Sequence, residues 1–130
     1  MQRIQNIYQK IPKNRLTGSL GERIARDFLE RRGYVFCSAN EHTHWGEIDL
    51  IMNDPRGVRI FVEVKMKRSR TFGLPEDQFH LHKRKKIKRA IEWYCLQNGI
   101  ARYQVDLVTV EDVGGEIEIR HYQNVEMDLS

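Results

Sequence analysis

Apolar positions along the chain change period several times, and each change predicts an element. From about Arg15 to Arg32, Leu16, Leu20, Ile24 and Phe28 recur every four residues, with Ala25 and Leu29 beside them. That spacing predicts an amphipathic helix, with Thr17 as a candidate N-cap and Gly33 as its stop. Tyr34-Val35-Phe36-Cys37 reads as a short strand, and residues 39–45 read as a polar loop in which Trp45 closes one end of the core. A strand over about 46–52, the turn Asn53-Asp54-Pro55-Arg56-Gly57 and a second strand over about 58–66 form a hairpin signature. A long helix is predicted over about 76–98, with Ile87, Ala90, Ile91, Tyr94 and Cys95 as its apolar stripe. Alternation then predicts strands over Arg102–Val110 and Glu116–Tyr122, joined at Gly114-Gly115, before an irregular tail. Ahead of all this, Ile4, Ile7 and Ile11 sit loosely in polar and basic surroundings, and Pro12 interrupts them. Residues 1–14 are therefore expected to form a flexible or weakly helical basic arm, and residues 15–126 a single domain. The economical packing of these elements is an α/β domain, a short mixed sheet flanked by helices.

Composition refines this picture only slightly. A chain of 130 residues suits one modest core. The net charge of +4 and sequence pI near 9.2 permit a polyanionic partner without requiring one. No apolar run approaches the roughly 20 residues that cross a bilayer, and the N-terminus lacks the apolar core of a secretory signal. Cys37 and Cys95 have no Cys-x-x-Cys spacing, so a zinc site is not expected; both are read as reduced core thiols in a cytoplasmic protein.

Charge placement within the apolar strands changes the picture more. Gly46-Glu47-Ile48-Asp49-Leu50-Ile51 and Phe61-Val62-Glu63-Val64-Lys65 carry ionisable residues where an interior strand normally would not. Alternation puts Glu47 and Asp49 on one face of the first strand, and Glu63 and Lys65 on one face of the second. Pairing of the strands would converge three carboxylates and one ammonium on a small patch. Buried carboxylates need a partner, and a hard divalent cation is one that suits clustered oxygens. A wet sheet face with cross-strand acid–base pairs is the plainer alternative. Glu22 falls at the edge of the first helix's apolar face, beside Gly18 and Gly21, whose lack of a side chain allows close approach to a neighbouring backbone. On the long helix every residue from Lys83 to Arg89 except Ile87 is basic. Lys83 lies on the stripe toward the sheet, whereas Lys85, Lys88 and Arg89 face outward. Lys67, Arg68 and Arg70 leave the strand just beyond Lys65, at the mouth of the acidic patch. These basic segments are candidates for contact with a nucleic-acid backbone. His42 and His44 lie in a polar loop and are expected to be simply exposed.

The two strand motifs together resemble the PD-(D/E)XK nuclease signature, in which an Asp on one strand precedes an acidic-x-Lys on the next. More narrowly, the chain is similar to the YraN-like family of uncharacterised predicted endonucleases. The supporting residues are Gly18, Gly21-Glu22, Ala25, Leu29, Gly33-Tyr34, Asn40, both strand motifs, Arg68, Gly73, Lys83, Ala90 and Asp106. The resemblance implies a restriction-endonuclease-like fold, a central mixed sheet flanked by helices in the order αβββαβ. It implies that Asp49 and Glu63 bind Mg²⁺ or Mn²⁺, that Lys65 completes the catalytic set, and that Glu22 belongs with them. Glu47 and Asp106 match family positions without a clear role. The chain departs from the family at Gln104, often basic there, and at Met66, often Thr there.

The expected activity is metal-dependent hydrolysis of nucleic-acid phosphodiesters. By the same resemblance, the expected substrate is structured DNA of the kind a Holliday-junction resolvase cuts, and such a task would favour a homodimer. The competing expectation is a non-catalytic nucleic-acid-binding module, or an interaction subunit, that keeps the nuclease fold.

Overall fold

The computed structural model describes residues 2–10, 18–67, 81–125 and 127, with backbone placement alone for 2–10, 81 and 82. The elements are β1 (Gln2–Lys10), α1 (Gly18–Arg31), β2 (Val35–Thr43), β3 (Gly46–Asn53), β4 (Arg59–Lys67), α2 (Leu81–Asn98), β5 (Tyr103–Val113) and β6 (Glu116–Gln123). The strands form one sheet in the order β1-β6-β5-β4-β3-β2. The β4–β5 pair is parallel, and the other neighbours are antiparallel. Five of these strands with α1 and α2 give the α/β, restriction-endonuclease-like arrangement that the resemblance implied.

Two expectations about the strands change. Residues 2–10, expected to belong to an arm, instead pair with β6 and extend the sheet by a strand. The segment expected to be a loop at 39–45 is mostly the second half of β2, and only His44 and Trp45 form the turn into β3. Both corrections concern edge strands, whose polar sequences carry little apolar alternation to read.

The two helices cover opposite faces. Ile24, Ala25, Phe28 and Leu29 of α1 pack with Leu50, Met52, Ile60, Val62, Val64, Val108 and Val110. Fully burying side chains such as Phe28 and Leu29 contributes roughly 1.5–3 kcal/mol each. Helix α1 stops as predicted: the Gly33 N–H bonds to the Glu30 carbonyl and the Tyr34 N–H to the Leu29 carbonyl, with Gly33 at φ 90°. This is a Schellman closure that a side chain at position 33 would strain. On the other face, Ile87, Ala90, Ile91 and Cys95 of α2 pack with Ile51, Phe61, Val105 and Leu107. Cys95 is buried as expected, but Cys37 is exposed on edge strand β2, beside a bulge between Phe36 and Ser38. Among the described residues no helix is long and apolar enough to cross a membrane.

One feature of the sheet matters most for the site. Strands β3 and β4 pair from Asn53↔Arg59 up to Leu50↔Val62, and no ladder continues beyond. On either side the β2–β3 ladder runs on to Thr43↔Gly46, and the β4–β5 ladder to Lys67↔Glu111. The sheet therefore forks, with residues 46–49 on one prong and 63–67 on the other.

Candidate metal centre at the sheet fork

Asp49 sits in the crotch of the fork. The Val64 N–H, which has lost its strand partner there, donates to Asp49 Oδ2 at 2.9 Å. A side chain thus takes the place of a ladder bond and satisfies an otherwise orphaned donor. The strand also turns about its axis here. Ile48 packs in the α2-side cluster, while Leu50 packs in the α1-side cluster. In a regular strand these residues would share a face. Asp49, between them, is half-buried, lines the cavity on the α2 side and lies close to Glu22 of α1.

Helix α1 delivers Glu22 to this point. A Cβ built at the neighbouring Gly21 would lie 2.8 Å from Met66 Sδ, so the missing side chain is what lets α1 close on β4. Carboxylate oxygens of Glu22, Glu47 and Asp49 all lie within 4.8 Å of one another. Asn40 stands across the ladder from Asp49, in the left-handed region at φ 54°. With its amide turned to satisfy both contacts, its nitrogen donates to Glu47 Oε1 at 2.8 Å and Glu22 Oε1 at 2.9 Å. Burial raises the Glu22 pKa, and the negative charges of Asp49 and Glu47 raise it further.

The second prong supplies Glu63 and Lys65, both buried, with Lys65 Nζ 3.7 Å from Glu63 Oε1. Burial and then the shared hydrogen bond and charge of Asp49 push the Glu63 carboxyl up to about 9, against the opposing pull of Lys65 and Lys83. Burial depresses the Lys65 ammonium, and so does its contact with Lys83, although Glu63 and Asp49 oppose the shift. Burial and the crowding of like charge thus favour the protonated form of Glu63.

The fork opens into a cavity of about 340 Å³ lined by Trp45, Glu47, Asp49, Glu63, Lys83 and Lys86. Ile87 and Ala90 of α2 form its apolar wall.

The structure therefore brings Glu22, Glu47, Asp49, Glu63, Lys65 and Lys83 together. The other expected residues stand elsewhere. Lys67 is half-buried at the end of β4, and Arg68 and Arg70 lie outside the described residues. Lys85 and Arg89 are exposed as expected, but Lys88, expected to face outward, is half-buried. Asp106 is on the α1 side, 1 % exposed, with its carboxylate committed to His121 Nε2 (2.7 Å), the Asn124 N–H (3.0 Å) and the Tyr34 hydroxyl (3.4 Å). It is part of the architecture, not of the fork. The departure at Gln104 also has a local answer, since Arg56 Nη2 donates to Gln104 Oε1 at 3.3 Å and supplies a basic group from the β3–β4 turn.

The sequence reading missed Lys86 as a site residue, and it gave Asn40 as a family match without a role. Lys86 lines the cavity, and its position three residues after Lys83 and four before Ala90 would have placed it on the inward stripe. Asn40 gave no such signal, because its role depends on a strand pairing invisible in the sequence. Trp45, expected to close one end of the core, is instead at the turn tip and 36 % exposed. His42 and His44 are exposed as expected, and His42 Nδ1 lies 3.4 Å from Glu47 Oε2.

Among known families, the profile of the Uncharacterised protein family UPF0102 matches residues 21–110, which contain the whole fork. The chain is 39% identical over 119 residues to a UPF0102 protein of Pelobacter propionicus, covering 87% of this chain and 84% of that protein. It is 36% identical over 115 residues to a UPF0102 protein of Trichlorobacter lovleyi, covering 85% and 90%. A UPF0102 protein of Alkaliphilus metalliredigens is 35% identical over 108 residues, covering 82% and 93%.

Proposed function

The chain belongs to the uncharacterised protein family UPF0102, and from that premise we propose that it is a metal-dependent endonuclease acting on structured DNA. The observation that carries the reading is the fork itself. Carboxylates of Glu22, Glu47 and Asp49 converge within 4.8 Å, and Glu63 and Lys65 face them from the other prong.

The donor set fits a hard divalent cation such as Mg²⁺ or Mn²⁺. It is all oxygen, its four carboxylates outnumber the three lysines beside them among the described residues, and burial and like charge raise the Glu63 carboxyl toward its neutral form. Asp49 and Glu63 would hold the ion, with Glu22 and Glu47 beside them. When bound, it polarises the scissile phosphate and lowers the pKa of a coordinated water.

The chain's own residues do the rest. Asn40 holds Glu22 and Glu47 toward Asp49 through its amide nitrogen. Lys65 Nζ orients the attacking water and stabilises charge that builds on the phosphate oxygens. Lys83 and Lys86, at the cavity wall, bind the flanking phosphate and orient the strand. Such backbone contacts carry little sequence information, so recognition rests on DNA shape.

The test is cleavage of single-stranded, duplex and branched DNA in Mg²⁺ or Mn²⁺ by the wild type and by Asp49→Ala, Glu63→Ala and Lys65→Ala. Each variant should stay folded and lose turnover. Full activity in Asp49→Ala would sink the proposal. Salt-sensitive binding without turnover in the wild type would make the protein a binding module.

A further inference from the structure

Trp45 is a large aromatic side chain left exposed beside the cavity at the fork. Folding gives no reason for it. The turn is closed without the indole: Thr43 Oγ1 donates to the Gly46 carbonyl at 2.6 Å and accepts from the Trp45 N–H at 3.1 Å. The His44 ring meets the indole at 88° with centroids 5.2 Å apart, an edge-to-face contact that braces the pair. The indole is thus presented on a stapled turn, and little ordering entropy remains to be lost on binding.

The same cavity joins this aromatic to the ammonium groups of Lys83 and Lys86 and to the carboxylates of Asp49 and Glu63. An aromatic surface suits a nucleobase and the cations suit a phosphate, so the lining matches the parts of one nucleotide. A base inside a continuous duplex has both faces covered and reaches an indole only after unstacking, which costs a few kcal/mol. An unpaired base has a free face at no such cost.

We propose that Trp45 stacks on an unpaired base beside the scissile phosphate, so that the substrate class is DNA with an unpaired stretch at the cut, such as a flap, loop or opened junction, and not continuous duplex. This rests on the phosphodiesterase reading above and narrows its substrate.

The chain has two tryptophans, Trp45 and Trp93, so Trp93→Phe leaves Trp45 as the sole indole reporter. A single-stranded oligodeoxynucleotide titrated into this variant in Ca²⁺, which replaces Mg²⁺ to hold off cleavage, should quench its fluorescence. A fully abasic oligomer of equal charge should not. Trp45→Ala should weaken single-strand binding by roughly tenfold to a hundredfold, the range of one base–aromatic stack. It should leave duplex binding and the melting temperature unchanged, and Trp45→Phe should restore most of the loss. Equal quenching by both oligomers, or Trp45→Ala binding single strands as the wild type does, overturns the inference. If Asp49-dependent cleavage persists in that case, the nuclease reading stands without it. Base-dependent quenching with no turnover in Mg²⁺ or Mn²⁺ leaves the stacking site in place and removes the nuclease reading.

Discussion

The buried Asp106 and the carboxylates at the fork lie within one sheet, and their chemistry differs. On the α1 side, Asp106 is almost wholly buried, and each of its oxygens has a donor from His121, Asn124 or Tyr34. Gln123 in turn donates to the Tyr34 hydroxyl at 3.1 Å. At the fork, Glu22, Glu47 and Asp49 converge on one another while burial and Asp49 hold the Glu63 pKa up, and among the described residues Asn40, the Val64 N–H and the nearby lysines satisfy only part of their oxygens. A buried acid whose partners are all internal holds elements together. Acids turned toward each other are costly to the fold, and a bound cation, as proposed above, would offset that cost. Burial alone does not separate the two cases; the accounting of donors does.

The contrast can be broken in order of expected effect. Asp106→Ala removes the acceptor from buried His121 and from the Asn124 N–H. It should lower stability by about 3–5 kcal/mol in denaturant unfolding, as loss of one member of a buried pair does. Cleavage per folded molecule should change little. If Asp106→Ala instead leaves stability intact and removes activity, the two have been assigned the wrong way round.

Glu63→Gln should do the reverse. The Glu63 carboxyl is raised from its ordinary value of 4.5 to about 9 in the folded protein. Its contribution is fully favourable below the unfolded pKa, and it is lost as pH climbs from about 4.5 through about 9. Metal-free wild type should therefore lose stability relative to Glu63→Gln across that window. The difference is on the order of 3 kcal/mol by pH 7, at about 1.4 kcal/mol per pH unit. Chemical unfolding of both proteins in chelator at several pH values measures it, and Mn²⁺ should shrink it. Parallel stability curves would mean that Glu63 is not strained by its neighbours.

Gly21→Ala has the smallest expected effect. The new methyl would sit 2.8 Å from Met66 Sδ, the end region of a flexible side chain that can give way. A stability loss of about 1 kcal/mol is expected, at the low end of overpacking costs. The helix must back away from β4, so Glu22 retreats from Asp49 and the loss of turnover should exceed what stability explains. Unchanged turnover would show that Glu22 acts without close registry.

Much of this was legible in the sequence, and the gaps have physical causes. Period-four spacing located α1 together with its glycine stop, and the charged interior strands located Asp49, Glu63 and Lys65. Helical geometry put Lys83 on the sheet-facing stripe, where it lines the cavity, but left Glu22 at the edge of α1's apolar face, and only the family resemblance drew it into the site. Strand β1 and the second half of β2 were missed, since both are polar edge segments that need no apolar alternation. The fork was invisible too. It depends on where the β3–β4 ladder stops, which sets Asp49 against Val64 and makes Asn40 a clamp, and no local pattern encodes that register.

The central claim is that the fork, and not the Asp106 cluster, takes up a divalent cation. Calorimetric titration of Mn²⁺ into metal-free wild type, Asp49→Ala and Asp106→Asn tests it most directly. Saturable uptake is expected for the wild type and for Asp106→Asn. Asp49→Ala should weaken uptake by more than the 10- to 100-fold that loss of even a supporting partner brings. Equal uptake by wild type and Asp49→Ala, or none by the wild type, would contradict it.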